Sequence, residues 1–501
     1  MCIRDRSESD REYLEDKGIV MSASVREKAF TQRFYLYLIM TKSAEKLYMS
    51  YAVKNSEGAA LIPSYIIRSM RKMFSHCLKL SYKDTAQQNS YVTIPRAANS
   101  FDNTEIAANV DEDIIDSLTG GRLVGSVTSF ENFAECPLRY YLRYGVDLKE
   151  REEFTFSPVN FGVVLHAVIR EVCDEIKKNG ESYYLISEEK RREMVKRSVA
   201  AITDIYQNSI LKDSSRNSFM IKRMEDLADR TVWAMGEQLK CGDFVPFVFE
   251  HKFNMEVGDG DRKQLMSGTI DRVDICENGT DVYVRIIDYK TGKKDFNIVK
   301  TYYGIDIQLM VYMEAAMKLV AKMRPGKNVI PAGVFYYNIS DPIVSATTES
   351  AEEIEDKIKG ELRLKGMVNS DKDIAEKMDN TEGTSLNIPV SRKADGGFDS
   401  RRSKVMNTEQ FNILGRFVDV RAIDTADRIA GGDIRRSPYK DGQFSSCDRC
   451  PYGAVCGFSV DLPGCNYRKL KKFDDEVLWN NIKEGVDENG KKMDTGAEER
   501  D

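Results

Sequence analysis

A chain of 501 residues with 42% hydrophobic and 31% charged side chains has the make-up of a soluble globular protein, long enough for one large domain plus a smaller piece or for two or three ordinary domains. A net charge of −6 excludes a generally basic nucleic-acid binder, so any contact with phosphates must come from local patches. No apolar run approaches the roughly 18–20 residues that span a bilayer, and the polar start Met1–Arg6 lacks a secretory pattern, so no membrane association and a cytoplasmic location are expected.

In chain order, Phe34 to Met40 is an apolar, aromatic stretch, and Lys46 to Tyr51 reads as a second short strand after a turn at Thr41–Ala44. Pro63 to Phe74 has a helical pattern, and residues 85–118 are polar and suit a linker. Ser126-Val-Thr-Ser129 caps an amphipathic run through Phe130, Phe133, Leu138, Tyr141 and Leu142, interrupted at Pro137. Asn160 to Lys178 is a strong helix, with Val164, Leu165, Val168, Ile169, Val172 and Ile176 on its apolar side. Charged amphipathic helices follow over 184–240. Strands are then expected over Val245–Phe253, Leu265–Cys276 and Asp281–Lys290, the last two joined by a tight turn at Asn278-Gly279. Thr301 to Met323 is helical again, Gly333–Ile339 is a strand, and residues 471–501 form a charged, frayed tail. Helices and strands alternating on one sheet give an α/β fold.

Local basic groups exist at Arg139, Arg143, Lys149 and Arg151, at Lys190 to Arg192, at Lys293 and Lys294, at Arg435 and Arg436, and from Arg468 to Lys472. Such groups more often form a solvated face than a binding site. They are permissive only.

The chemistry begins at Gly268-Thr-Ile-Asp271-Arg-Val-Asp274 and, one hairpin later, Ile286-Ile-Asp288-Tyr-Lys290-Thr-Gly292. Alternate strand residues share a face, so Val282, Val284 and Ile286 lie on the same face as Asp288 and Lys290. A buried face that ends in unpaired charges is costly. Asp271 and Asp288, brought together from neighbouring strands, would repel each other unless a divalent cation lay between them. Such oxygen ligands suit Mg²⁺ or Mn²⁺, and Lys290 is placed to position a water or neutralise charge on phosphorus. A bare D-x-K is usually a surface ion pair; the context raises its meaning. His166, one of three histidines, lies four residues after Gly162 on the long helix, and Gln308 and Tyr312 share a helix face.

The order His166, Gly268-x-x-Asp271, Asp288-x-Lys290, Gln308-x-x-x-Tyr312 resembles the RecB-type branch of the PD-(D/E)xK nucleases. The resemblance implies a restriction-endonuclease-like core with helical insertions. It implies a metal held by His166, Asp271, Asp288 and the backbone carbonyl of Tyr289, with Lys290 assisting the attacking water and Gln308 and Tyr312 supporting the site and DNA. No H-x-E…C-x-x-C or H-E-x-x-H pattern favours a deaminase or a metalloprotease.

Ten cysteines in a cytoplasmic chain are not expected to form disulfides. Cys2, Cys77, Cys173, Cys241, Cys276 and Cys465 are scattered, whereas Cys447-x-x-Cys450-x5-Cys456, with Pro451 and Gly453, forms a metal-loop pattern. Spacing does not identify a fourth ligand, and zinc would satisfy the same thiolates. A Cys-Pro near the start, here Cys136-Pro137, with C-x2-C-x5-C at the end resembles the iron–sulfur nucleases, which implies a [4Fe–4S] cluster on Cys136, Cys447, Cys450 and Cys456.

Within that group the chain resembles the AddB family, the B subunits of AddAB-type ATP-dependent helicase/deoxyribonucleases. The resemblance runs through Ser129-x-x-x-Phe133, Cys136-Pro137, Gly162-x-x-x-His166, the Asp/Lys motif, Gly366 to Asp371 and Ser437-Pro438-Tyr439. Gln32 to Leu47 resembles the last motif of UvrD-type motors, but Thr41-Lys42-Ser43 lacks the planar arginine that an active motor uses there. No G-x-x-x-x-G-K-[ST] accompanies it.

The resemblance therefore implies three parts: an inactivated helicase remnant and linker over 1–115, a nuclease domain over 116–470 and a tail over 471–501. It also implies Mg²⁺-dependent cleavage of single-stranded DNA, on the 5′-terminated strand, beside an AddA-like helicase-nuclease partner, with the chain a C-terminal part of a longer polypeptide. Two alternatives stand beside it: a non-catalytic module that binds DNA ends, and a stand-alone iron–sulfur exonuclease of the Cas4 kind.

Overall fold

The computed structural model describes residues 13–14, 16–17, 25–44, 47–49, 51, 61–74, 109–111, 113–115, 124–149, 158–205, 215–257, 264–344, 350–460 and 465–498. The chain divides into two units between Asp102 and Asn103.

The first unit contributes helices α1 (Val25–Thr41) and α2 (Tyr65–Met73). The aromatic stretch expected to be a strand therefore lies inside a helix. Phe30, Phe34 and Leu38 recur every four residues, and Thr31 and Thr41 donate their hydroxyls to carbonyls four residues back, at 2.9 Å each. Among its described residues the helix has no buried apolar stripe: Phe30, Phe34, Tyr35, Tyr37 and Ile39 are all exposed. The second short strand is not seen at the described residues 47–49 and 51. Helix α2 falls where expected, with Ser64 as its N-cap.

The second unit begins before the expected boundary at 115. Asn109 bridges to Asp433, and Ile115 is buried. Strand β1 (Val124–Ser126) leads into α3 (Val127–Glu135), capped by Ser126, then α4 (Pro137–Tyr140) and a π turn over Tyr141–Gly145. Three long helices follow: α5 (Pro158–Lys178), α6 (Glu188–Ile205) and α7 (Ser215–Lys240). Strands β2 (Val245–Val257), β3 (Gln264–Asn278) and β4 (Asp281–Lys290) come next, then α8 (Ile298–Tyr302), α9 (Gln308–Met323) and β5 (Asn328–Asn338). The remainder is α10 (Ala351–Glu361), β6 (Lys365–Asn369), α11 (Lys372–Met378), β7 (Val405–Met406), α12 (Thr408–Ala430), β8 (Tyr439–Asp441), β9 (Phe444–Ser445), α13 (Gly453–Cys456), β10 (Arg468–Lys469) and α14 (Asp475–Glu498).

The main sheet runs β1-β3-β4-β5-β6-β7, with β2 along the other edge of β3. Strands β3 and β4 are an antiparallel hairpin, turned at Gly279 with φ +59°, a conformation glycine adopts without strain. Strand β5 returns parallel to β4, so the connection must cross the sheet, which α8 and α9 do. The helix expected over 301–323 is broken because Gly304, at φ +75°, ends α8 before α9 starts at Gln308.

Alternation on β4 fills two cores. Tyr283, Ile287 and Tyr289 pack with α5, α6 and α7 on one face. Val282, Val284 and Ile286 pack with α9, α12 and α14 on the other. The result is a three-layer α/β/α unit. The expected frayed tail is instead helical from Asp475, because Leu478 and Ile482, four apart, are buried against that second core. Among the described residues no helix is long and apolar enough to cross a membrane.

Candidate active site

The apolar face of β4 ends at Asp288, 2% exposed, and Lys290. The last pair of the β3–β4 ladder toward this end is Arg272 with Ile287, so Asp271 falls opposite Asp288. It shares the face of Val273 and Ile275, which pair with Ile286 and Val284. On the other edge of β3, Glu250 lies between the pairs Phe249–Arg272 and His251–Ile270, which sets it across from Asp271. Three adjacent strands thus bring three carboxylates into one row.

His166 reaches this row from α5. Its Nδ1 lies 3.4 Å from Asp271 Oδ1 and 3.8 Å from Glu250 Oε1. One ligand atom from each of these three residues falls within 4.8 Å of the others. The Tyr289 amide donates to Asp271 Oδ2 at 2.6 Å, and its ring meets the His166 ring edge-on at 5.9 Å. Lys290 Nζ is 2.5 Å from Asp288 Oδ2. Gln308 donates its amide to Asp288 Oδ1 at 3.3 Å and to the Tyr312 hydroxyl at 2.9 Å. His166, Asp271, Asp288, Tyr289, Lys290, Gln308 and Tyr312, drawn from separate stretches of sequence, are therefore brought together.

The electrostatics follow from the crowding. Burial, then the charge of Asp271, push the Asp288 carboxyl up to about 7, against the opposing pull of Lys290. At His166 burial disfavours the charged ring, but hydrogen bonding and charge from Asp271 and Glu250 prevail and raise it to about 10. These acids want a positive charge between them. Asp288 Oδ2 is buried and, despite its ion pair, lacks an aligned hydrogen bond. A divalent cation with oxygen and imidazole ligands fits that donor set, with the ring neutral once it coordinates.

Two features were not legible as site residues. Glu250 carries φ +49°, a left-handed backbone rare outside glycine, in the middle of β2; nothing in a strand pattern marks it. Behind the row, Glu131 on α3 accepts hydrogen bonds from the amides of Ile307 and Gln308 at 2.9 and 3.0 Å. Lys294 pairs with buried Asp306 at 3.0 Å, and the Tyr336 hydroxyl donates to the same Asp306 oxygen at 2.7 Å. By contrast Asp274, the second acid of the Gly268–Asp274 motif, has no place in the row. It is wholly buried between Arg272 and Arg285.

The three cysteines singled out by spacing and Cys136, added by resemblance, also converge. Cys136 is buried where α3 ends and α4 begins; Cys447 and Cys450 sit in the turn after β9, and Cys456 closes α13. Burial is the main cause that raises the thiols of Cys136, Cys447 and Cys456, to about 11 at Cys447. The nearness of Cys450 to Cys136, and of Cys136 to both Cys447 and Cys456, adds to it. The two segments are stitched together: Leu138 N donates to Arg435 O at 3.3 Å, Ser446 Oγ to Glu135 O at 3.5 Å, and Tyr452 OH to Leu148 O at 2.9 Å. Four thiols gathered this way fit a metal centre.

Several of the basic groups noted in the sequence are paired within the chain. Arg139 pairs with Glu135, Lys149 with Asp147, Lys190 with Glu181, Arg191 with Asp229, Arg192 with Glu188, and Arg435 with Asp433.

A mixed sheet ending in an Asp/Asp/Lys row defines a class, and the chain belongs to it: it is a member of the PD-(D/E)XK nuclease superfamily, whose pattern matches residues 125–457. Within that class it is similar to proteins named as the B subunits of ATP-dependent helicase/deoxyribonucleases. The protein of that name from Clostridium acetobutylicum is 30% identical over 97% of this chain and 47% of its own length. Those from Lachnoclostridium phytofermentans and Caldanaerobacter subterraneus subsp. tengcongensis are 30% and 31% identical over 98% and 99% of this chain, again with 47% of their own lengths. The chain spans about half the length of the curated relatives it matches.

Proposed function

We propose that this chain is the nuclease-bearing portion of a helicase/deoxyribonuclease of that two-part kind, on the side its relatives occupy. In this reading it hydrolyses phosphodiester bonds of single-stranded DNA with Mg²⁺ or Mn²⁺, in the cytoplasm, during processing of broken DNA ends for recombinational repair. The observation that carries it is the row across three strands, Glu250, Asp271 and Asp288, with His166 and Lys290 at its ends. Resemblance adds the finer terms: the 5′-terminated strand as substrate, and an AddA-like helicase-nuclease partner that unwinds the duplex and feeds it.

His166, Asp271, Asp288 and the Tyr289 carbonyl would hold the cation. Bound there, a divalent ion polarises a phosphate oxygen and acidifies a water ligand. The chain's own groups do the rest. Lys290 is aimed at Asp288 from solvent-accessible ground, where its ammonium can orient the attacking water and balance charge as it grows on phosphorus. Gln308, held by Tyr312, fixes the Asp288 carboxylate against rotation. Burial of Asp288 strengthens each of these interactions relative to water.

Cys136, Cys447, Cys450 and Cys456 would hold a [4Fe–4S] cluster, with zinc the alternative; resemblance to the iron–sulfur nucleases favours the cluster. The cluster would cross-link positions 311 residues apart. In the chain-entropy account, closing that loop stabilises the fold by about 5–6 kcal/mol.

The test is D288A. It should abolish Mg²⁺-dependent release of nucleotides from single-stranded DNA while the unfolding profile and iron content stay as in the parent protein. Undiminished degradation by the variant removes the assignment. Undiminished DNA binding with no cleavage by the parent protein would mark a binding module instead.

A further inference from the structure

Helix α9 begins without a cap of its own. Its N-cap position is Ile307, which offers no side-chain acceptor to the exposed amides of the first turn. Those of Ile307 and Gln308 turn instead to one oxygen of Glu131, which comes from α3, 176 and 177 residues earlier in the chain. The capped residue is not an ordinary one. Gln308 is the residue whose side chain donates to Asp288 and to Tyr312.

At its C-terminal end α3 is followed by Cys136, and its last turn is anchored to the region around the cysteine loop. Arg468 donates to the Ala134 carbonyl, and Ser446 donates to that of Glu135. A single short helix of nine residues therefore meets the cysteine loop at its C-terminal end and, through Glu131 at its middle, the start of the helix that carries Gln308. The surroundings of Glu131 are charged on both sides. Lys294 and Asp306 lie within electrostatic reach of it, and Lys290 beyond them. Burial raises the Glu131 carboxyl to about 7 against the pull of Lys294, and its Oε1 is held by the two backbone amides.

We propose that Glu131 is a positioning residue: by capping α9 from outside, it sets Gln308 against Asp288 and ties the geometry of the acidic row to the helix that carries Cys136. The proposal rests on the reading of Asp288 as a working residue of the nuclease. Its consequence is that the cysteine loop, far from the substrate-facing groups in sequence, bears on cleavage through one hydrogen-bonded path, from Cys136 along α3 to Glu131, Gln308 and Asp288.

The test compares E131A, E131Q and E131D with the parent chain, using single-stranded DNA and Mg²⁺. Removing the acceptor in E131A frees the start of α9, and a misplacement of about 1 Å at a catalytic group costs about a hundredfold in rate. The expected result is a loss of that order in kcat with KM nearly unchanged and with iron content retained. Gln keeps an oxygen that accepts both amides and lacks only the charge near a helix N-terminus, so E131Q should return to within about fivefold of the parent. Should E131A fail to fold, E131D carries the comparison: its carboxylate is one methylene short, and kcat should fall while the unfolding profile holds. Full kcat in E131A or E131D overturns the proposal, as does equal loss in E131Q and E131A. D288A, assayed alongside, separates the two claims. An active D288A defeats the nuclease site itself, whereas an inactive D288A with a fully active E131A defeats only the coupling.

Discussion

Two aspartates three residues apart in Gly268–Asp274 should answer mutation in opposite ways. Asp274 receives the Arg272 guanidinium in a two-pronged bond at 2.7 and 2.6 Å, and the Arg285 Nε at 2.9 Å. All three side chains are within 1% of full burial. The arginines hold the Asp274 carboxyl below its ordinary range despite burial. In D274A two guanidinium groups would remain buried with no counter-charge, and breaking such a pair costs about 3–5 kcal/mol. A domain's whole stability is about 5–15 kcal/mol, so D274A should be poorly folded. Asp271 differs. It sits among Glu250 and Asp288, whose like charges it opposes, and its favourable contacts are the Tyr289 amide at 2.6 Å and the His166 ring at 3.4 Å. Removing it loses those two contacts, worth about 1 kcal/mol each, but relieves repulsion and leaves Glu250 facing the ring, so D271A should stay much nearer parent stability than D274A while being catalytically dead. Both tryptophans, Trp233 and Trp479, lie in the second unit, so their fluorescence in a urea titration reports that unit alone. A D274A midpoint equal to the parent's, or a D271A midpoint lowered as far as D274A's, would refute the reasoning.

Protein purified without oxygen should be brown, with about four irons per chain, and C447S should lose both the colour and several kcal/mol of stability; stoichiometric zinc and no visible absorbance would reject the cluster. A pH effect resides at the α9–α12 contact. Burial and the neighbouring Glu314 raise the Asp419 carboxyl from 3.8 to about 8. The folded chain therefore keeps a proton there that the unfolded chain gives up. That contribution is fully present below about pH 4 and lost as pH rises through 8. D419N, whose amide can still donate to Glu314, should flatten the decline in melting temperature between pH 5 and 8; an unchanged slope contradicts the shared proton.

The sequence was most legible where a side chain's partners are close in the chain or repeat regularly. Val282, Val284 and Ile286 alternate cleanly, so the exit of Asp288 and Lys290 from a buried face could be seen in advance. The helix bearing His166 and the turn at Gly279 follow equally local rules. What escaped depends on contacts across long separations or on unusual backbone. Glu250 enters the site through a left-handed residue in a strand, which no alternation reveals. Glu131 caps a helix 177 residues away, so its role has no local spacing. The tail looked frayed because charge dominates it, yet Leu478 and Ile482 are enough to seat α14 on the core. At α1 the aromatic side chains argued for strand, yet Val25–Thr41 is helical.

Everything about cleavage rests on Asp271, Asp288 and His166 sharing one cation. Electron paramagnetic resonance of Mn²⁺ titrated into the parent chain and into D271A, D288A and H166A measures that directly. The parent should show a bound-ion signal saturating at one site, weakened at least tenfold in each variant. Equal Mn²⁺ affinity across all four proteins would mean that the three residues do not form a common site.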